Sequence, residues 1–207
     1  MMRLKIKVFA LLFLIVLVAC NNKKTDQKAM TIKNVITQQP GDVVFGDEAA
    51  PASVFMYASY HCNYCRYFFS RTFPDLKTNY LDNGKVKLIV KWVDFQDNPQ
   101  VLRALQAASC ISRFGTYEKY HELLLVNPDV VFSEDFAVLV DDIMNNNSEI
   151  AECILSDPEF GYLSSNVKEF RANNLSGTPT FIINNKGYSG FLSYDNFVKL
   201  LNKEFEL

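Results

Sequence analysis

Two cysteines three positions apart, Cys62 and Cys65, lie in the segment SYHCNYCRYF of a chain that has only five cysteines. Cysteines at this spacing can form a redox-active disulfide or supply half of a metal site, and they can also be ordinary core residues. A cysteine in the first turn of a helix lies near unpaired backbone N–H groups and the positive end of the helix dipole, which favour its thiolate. We expect this position for Cys62 and a buried, less acidic thiol for Cys65, so that one thiol attacks and the other resolves.

The residues around this pair predict the elements that position it. An apolar run over Ala52–Tyr60 is typical of a strand and leads directly into the cysteine motif. Residues Cys62–Leu76 predict a helix, because apolar side chains recur at helical spacing from Cys65 onwards. A second strand is predicted over Val86–Phe95, after a turn-forming Asp-Asn-Gly sequence. The motif therefore stands at the start of a helix between two strands.

The rest of the chain is first helical and then returns to strands. Helical patterns cover five segments, Val101–Ser112, Tyr117–Val126, Glu134–Met144, Ser148–Leu155 and Phe160–Asn173. A hairpin over Pro179–Ile183 and Tyr188–Phe191, with its turn at Asn184–Gly187, precedes a closing helix over Tyr194–Phe205. Because a parallel crossover needs only about a dozen residues, the far longer stretch before Pro179 predicts inserted helical structure.

Three segments of the chain resemble the DsbA-like thioredoxin family of thiol-disulfide oxidoreductases, in order and in spacing. They are Gly46–Cys65 (GDEAAPASVFMYASYHCNYC), Leu105–Cys110 (LQAASC) and Ser176–Phe181 (SGTPTF). The resemblance extends from about Asp42 to the C-terminus and implies an α/β protein, a thioredoxin fold with an inserted helical domain. It assigns residues 42–98 and 174–207 to the thioredoxin domain, and residues 99–173 to a helical domain that caps the active face.

The resemblance also implies roles for individual residues. It makes Cys62 and Cys65 the redox disulfide and places Pro179, in the cis form, against them as a third catalytic residue. An X-Pro bond is the one peptide bond for which the cis form is cheap, at about 0.5 to 1 kcal/mol. The backbone of Thr178 is expected to pair with an extended segment of the substrate.

Two neighbours of the cysteines are weighed as substrate-binding residues. A protonated His61 could stabilise the Cys62 thiolate, or its side chain could simply be solvated at the end of the strand. Tyr64 could offer an apolar docking rim together with Tyr60 and Phe68, although aromatic side chains beside a core are often packing.

At two positions the chain departs from the family pattern. Met56 stands where the family often has a buried carboxylate that can accept the proton of the resolving thiol. Ser59 replaces a common aspartate. The proton acceptor for Cys65 is therefore left open between water and a backbone carbonyl.

The N-terminus predicts export and a lipid anchor. Residues 1–19 have a basic start and an apolar run, Val8–Ala19, that is shorter than the roughly 18 residues of a bilayer-spanning helix, as expected for a signal peptide. Leu17–Cys20 resembles a bacterial lipobox, which implies that Cys20 is acylated; the alternative is a plain secretory peptide. Residues 20–41 are polar and are assigned to the anchor and a tether, which holds the protein on the extracytoplasmic face of a membrane.

The remaining cysteines and the net charge narrow the function further. With Cys20 lipidated, Cys110 and Cys153 form an even pair in an oxidising compartment, so a structural disulfide is favoured over two buried free thiols. The formal net charge is −2 before the basic leader is removed, and no basic patch is present for nucleic acid.

These features predict an enzyme that introduces or exchanges disulfide bonds in exported proteins with free thiols, without a cofactor. The resemblance implies that a DsbB-like, quinone-linked membrane protein reoxidises it. A thiol reductase or isomerase of the same fold is one alternative. A metal-binding lipoprotein that uses His61, Cys62 and Cys65 is the other, although zinc usually requires four ligands.

Overall fold

The structure is a computed structural model that describes residues 28–157 and 160–207. Its strands are β1 (Met30–Thr31), β2 (Val43–Phe45), β3 (Ala52–Ala58), β4 (Val86–Trp92), β5 (Thr180–Ile183) and β6 (Lys186–Ser189). Its α-helices are α1 (Asn63–Arg71), α2 (Phe73–Leu76), α3 (Pro99–Phe114), α4 (Tyr117–Val126), α5 (Glu134–Asn146), α6 (Ser148–Ser156), α7 (Gly161–Ala172) and α8 (Tyr194–Phe205). A π turn (Lys77–Leu81) follows α2, and a 3-10 turn (Pro128–Phe132) follows α4.

The six strands form one mixed sheet in the order β1-β6-β5-β3-β4-β2. Strands β3 and β4 are parallel and are connected through α1 and α2, whereas β5 and β6 form an antiparallel hairpin beside β3. The carboxyl ends of β3 and β4 therefore lie at the same edge, where the backbone N–H of Val93 donates to the carbonyl of Ala58 at 2.9 Å. Ligands of open α/β sheets bind at this edge, and the cysteine motif lies there.

Helix α1 begins immediately after the first cysteine and is interrupted where the sequence predicts continuation. Cys62 has extended backbone angles and acts as the N-cap. Pro74 lies in the first turn of α2, where a proline is tolerated but cannot continue a preceding helix, so the predicted helix Cys62–Leu76 is divided at Thr72. The Thr72 hydroxyl donates to the Leu192 carbonyl at 2.8 Å and holds this break against the loop before α8.

The helices α3–α7 lie between β4 and β5 in the chain, as the five helical patterns predict, and together they form the helical block. One cluster of buried apolar side chains extends from the sheet, at Val54 and Leu88, into α3 and α4, at Leu105 and Leu124. A disulfide between Cys110 and Cys153 joins α3 to α6 across 43 residues of chain. The helical block is therefore attached to the sheet by shared core and is closed internally by a covalent bond.

The N-terminal tether needs correction from residue 28 onwards. Met30 and Thr31 pair with β6, and Ile32 and Ile36 are buried beside Phe170 of α7. Isolated isoleucines among polar residues give no periodic signal, so the sequence alone predicts a tether here. The predicted signal peptide 1–19 and the lipidated Cys20 lie outside the described residues. Within 28–157 and 160–207, no helix is both long enough and apolar enough to cross a bilayer.

The predicted hairpin is also shifted by two residues. Its turn consists of Asn184 and Asn185, which both have positive φ, so that β6 begins at Lys186 rather than at Tyr188. Asparagine tolerates the left-handed region, and a two-residue turn of this kind matches the twist of the strands it connects. Phe191, which was assigned to the strand, lies in the following loop against Tyr67 of α1.

A lysine inside the sheet joins three parts of the chain. The Lys91 ammonium is fully buried and lies 3.1 Å from Asp42, before β2, and 3.2 Å from Glu169 of α7. Hydroxyl groups complete the cluster, since Tyr57 donates to Glu169 and Tyr162 donates to Asp42. Burial raises the pKa of Asp42, and the positive charge of Lys91 opposes that shift. The cluster fixes α7 and the entry to β2 against the centre of the sheet.

Replacing Lys91 by methionine is expected to destabilise the protein by about 3 to 5 kcal/mol, because the Asp42 carboxylate then stays buried without a cation. Chemical denaturation measures the effect. Lys87→Met is the matched control on the same strand, since Lys87 pairs with the exposed Glu48 and should cost less than about 1 kcal/mol. Equal losses in the two variants would contradict a special role for the buried cluster, and Asp42→Asn should recover part of the loss in Lys91→Met.

Removing the disulfide is expected to lower stability by about 4 kcal/mol, the value that the chain-entropy model gives for a 43-residue loop. The variant is Cys110→Ala with Cys153→Ala, compared in guanidinium unfolding in a background where Cys62 and Cys65 are both serine. That background removes redox exchange from the measurement. A loss below about 1 kcal/mol would show that the bond contributes little to the free energy of unfolding.

Candidate active site

Cys62 lies where the helix offers its unpaired N–H groups. Its sulfur accepts a hydrogen bond from the backbone N–H of Cys65 at 3.2 Å, which is the N-cap contact of α1. The Cys65 thiol, the Thr178 side chain and the backbone N–H groups of Cys65 and Tyr64 together lower the pKa of Cys62 to about 6, although partial burial opposes the shift. The reduced protein therefore holds Cys62 largely as a thiolate at neutral pH.

Cys65 differs from its neighbour in both exposure and acidity. It lies one turn into α1 on the side that faces the sheet and is 1% exposed. Burial raises its pKa strongly, and the adjacent Cys62 raises it further, whereas the Ser59 backbone and the Thr178 side chain oppose the shift by hydrogen bonding. Both cysteines are free thiols in this structure. The structure therefore places a partly exposed, acidic thiol one helical turn before a buried, less acidic one.

The loop before β5 lies against the pair. The peptide bond between Thr178 and Pro179 is cis, and the Cys62 sulfur lies 3.1 Å from the Thr178 carbonyl oxygen, to which it donates when it is protonated. Gly177 has a φ of 73°, a conformation that favours glycine. The Gly190 N–H donates to the Pro179 carbonyl at 2.8 Å and ties the loop to the far end of the hairpin.

The two predicted substrate-binding neighbours are placed differently. Tyr64 is 64% exposed on the first turn of α1, beside Cys62 in the chain, whereas Tyr60 and Phe68 are buried and belong to the core. His61 Nε2 lies 3.5 Å from Asp129 in the 3-10 turn after α4. The hydrogen bonds that lower the Cys62 pKa come from Cys65, Thr178 and Tyr64, and His61 is not among them. The contact that His61 makes is with Asp129 of the helical block.

Met56 is fully buried in β3, so the position of the family carboxylate is apolar here. Tyr60, two residues before Cys62, belongs to a buried polar cluster that the sequence patterns do not reveal. The Tyr60 hydroxyl is 2.9 Å from the Tyr117 hydroxyl and 2.8 Å from His121 Nδ1. Burial lowers the pKa of His121 to about 3, so the ring is neutral at physiological pH. The cluster positions the end of β3 against α4, and nothing in the sequence pattern connects its members.

A cavity of about 340 Å³ opens beside Cys62 and Thr178, between the ends of β3 and β4 and the helical block. Apolar side chains form much of its wall, and Asp94 lies in its lining. In the part of the chain that the structure describes, no three histidine, cysteine or acidic side chains lie close enough to hold a metal ion. The metal-binding alternative with His61, Cys62 and Cys65 therefore has no support from the geometry.

Comparison with curated proteins finds relatives that are named for disulfide chemistry. "Disulfide bond formation protein D" of Bacillus subtilis is 27% identical over 195 residues, which cover 89% of this chain and 86% of that protein. A Rickettsia typhi protein named "Putative protein-disulfide oxidoreductase" is 27% identical over 190 residues, which cover 89% of this chain and 68% of that protein. The match to a Rickettsia prowazekii relative of the same description covers 62% of that relative's length.

Comparison with solved structures confirms the predicted thioredoxin fold with inserted helices. BdbD of Bacillus subtilis in its oxidised form has a TM-score of 0.65 at 22% identity and covers 84% of this chain and 100% of its own. A variant of Wolbachia pipientis alpha-DsbA1 has a TM-score of 0.64 at 19% identity, covering 83% of this chain and 94% of its own. A thioredoxin family model matches residues 38–203. The chain therefore belongs to the thioredoxin family, with a DsbA-like fold.

Proposed function

We propose that the chain is a protein-disulfide oxidoreductase that introduces disulfide bonds into exported proteins through Cys62 and Cys65. The observation that carries this proposal is the contrast between the two thiols within one helical turn. Cys62 is hydrogen-bonded at the helix start and has a pKa of about 6, whereas Cys65 is buried and has a raised pKa. The names of the relatives describe the same chemistry.

The reaction starts from the Cys62–Cys65 disulfide. A substrate thiolate attacks the sulfur of Cys62, which is the more exposed of the two, forming a mixed disulfide. The Cys62–Cys65 bond breaks, and Cys65 leaves as a thiolate that takes up a proton, because its buried site disfavours the charge. A second substrate thiolate then attacks the substrate sulfur, and Cys62 leaves as a stabilised thiolate. Two electrons pass from two substrate thiols to the enzyme.

The loop before β5 supports binding of the substrate chain. Thr178 lies at the Cys62 sulfur, and its backbone is the group that would pair with an extended peptide next to the mixed disulfide. Pro179, which follows Thr178, has no backbone N–H to offer a substrate chain. Tyr64 offers an exposed aromatic face on one side of Cys62, and His61 borders the cavity on the other.

The acidity of Cys62 supports oxidation of substrates over their reduction. A thiolate that is stabilised in the reduced form makes the reduced protein more stable and the disulfide a stronger oxidant. Because the folded pKa lies below the ordinary value, this stabilisation is complete above the unfolded pKa and disappears as the pH falls through about 6. At pH 7 the stabilised thiolate contributes about 1 kcal/mol to the free energy of unfolding of the reduced protein, after allowance for solvent screening of the half-buried sulfur.

The leader and lipobox support a lipid-anchored location on the extracytoplasmic face of a bacterial membrane, with Cys20 as the anchor. Regeneration of the disulfide requires an acceptor of two electrons per cycle. A quinone-linked membrane protein of the DsbB type would supply it, and an anchored enzyme would remain close to such a partner. Unfolded exported proteins with free thiols are the substrates.

The oxidised protein is expected to melt at a lower temperature than the reduced protein at pH 7, and the difference should shrink as the pH falls from about 8.5 through about 6. Differential scanning calorimetry of both forms, with equilibration of the Cys62–Cys65 pair against glutathione, measures this. A pair as reducing as thioredoxin, or a reduced form that melts first, would assign the protein to the reductases. Cys62→Ser with Cys65→Ser is the control, and its melting should not depend on the redox buffer.

The Cys62 thiolate is expected to titrate with a midpoint near pH 6 in the reduced protein, followed by its ultraviolet absorbance. Cys65→Ala should raise that midpoint, because the Cys65 thiol makes the largest contribution to the lowered pKa. Cys65→Ser is the matched control, since its hydroxyl can still donate. A midpoint near that of an ordinary cysteine in the wild-type protein would remove the electrostatic basis of the proposal.

A further inference from the structure

The cavity beside Cys62 combines apolar walls with one carboxylate. Phe95, Val101 and Phe132 provide apolar side-chain surface, and Asp94 lies in the lining with them. Asp94 directly follows Val93, whose backbone pairs with the end of β3, so the parallel strands bring this carboxylate to the same sheet edge as Cys62. A substrate segment bound at Cys62 would therefore lie beside this cavity.

The Asp94 carboxylate is buried and has no cationic partner. The residue is 9% exposed, and its two oxygens accept backbone N–H bonds from Gln96 at 3.4 Å and Asn98 at 2.9 Å. Among the described residues, no lysine, arginine or histidine forms an ion pair with it. His61, the one basic side chain in the cavity lining, lies within ion-pair distance of Asp129 instead.

We propose that this cavity is a specificity subsite that accepts a lysine or arginine side chain located near the reactive cysteine of the substrate. This inference rests on the proposed function. A long basic side chain has an apolar stem and a charged end, and such side chains bury the stem along apolar surface. The stem would lie against Val101 and Phe132, and the charged end would reach Asp94. A glutamate at the same place would meet the carboxylate and be disfavoured.

The test measures how fast thiol peptides reduce the oxidised protein. The peptides share one sequence with a single cysteine. Lysine, norleucine or glutamate is placed in turn at each of four positions, the two before the cysteine and the two after it. Norleucine keeps an aliphatic chain without the charge. Each rate is divided by the rate of the same peptide with 2-hydroxyethyl disulfide, a neutral reference, because a neighbouring charge changes the reactivity of the peptide thiol itself.

At one or more positions the corrected rate for lysine is expected to exceed that for norleucine by roughly three- to tenfold, the range for a partly desolvated charge pair. Glutamate should be the slowest. Asp94→Asn should remove most of the lysine preference, and Asp94→Glu should keep it. The matched control is Asp97→Asn, an exposed acid on the same loop, which should leave the preference unchanged.

Equal corrected rates for lysine and norleucine at all four positions would overturn the proposal, as would a full preference in Asp94→Asn. If Asp94→Asn does not fold, the salt dependence of the wild-type protein is the test. Its preference for lysine over norleucine must decline between 20 and 500 mM salt, because salt screens a charge pair. Oxidation of dithiothreitol distinguishes a failure of the subsite from a failure of the proposed function. A protein that oxidises dithiothreitol without preference loses only the subsite, whereas a protein that oxidises no thiol loses the proposed function as well.

Discussion

The stability of one sulfur anion at a helix start governs the rest of the site. Cys62 is the N-cap of α1, so its sulfur receives the N–H that the helix cannot satisfy internally. The Cys65 thiol adds a hydrogen bond from the same turn, and Thr178 adds one from the opposite loop. The donors come from two parts of the fold, the first turn of α1 and the loop before β5, so the acidity of Cys62 depends on these two parts being held together.

The fold meets that requirement by tying its distant segments to the sheet. Thr72 anchors the end of α1 to the loop before α8, and Gly190 anchors the loop of Pro179. On the other face of the sheet from α1, Lys91 holds α7 through Glu169. These contacts restrain the elements that carry the cysteines, and they also restrain the helical block. Cys62 and Cys65 can then keep their positions through a reaction cycle in which the disulfide bond between them forms and breaks.

Local sequence patterns were sufficient for the elements that carry the motif, and they failed where distant side chains meet. The strand before Cys62, the helix after it and the five helical segments all follow periodicity, so they were predicted within a few residues. The packed segment around Ile32 lacked a period. The apolar strand β4 contains two lysines, Lys87 and Lys91, and the sequence pattern does not tell which of them is buried. The partners of Lys91, Asp42 and Glu169, could not be identified without the fold.

The same limit explains why Asp94 was overlooked, since it lies inside the predicted strand Val86–Phe95 but two residues beyond the observed end of β4. A carboxylate after a strand usually caps a loop, and Asp94 does accept the N–H groups of Gln96 and Asn98. Only the parallel pairing of β3 with β4 shows that this loop borders Cys62. A capping carboxylate near the nucleophile keeps its charge available to a substrate, because backbone N–H groups do not neutralise it. Thus a residue that shapes the backbone can also select the substrate that reaches the sulfur.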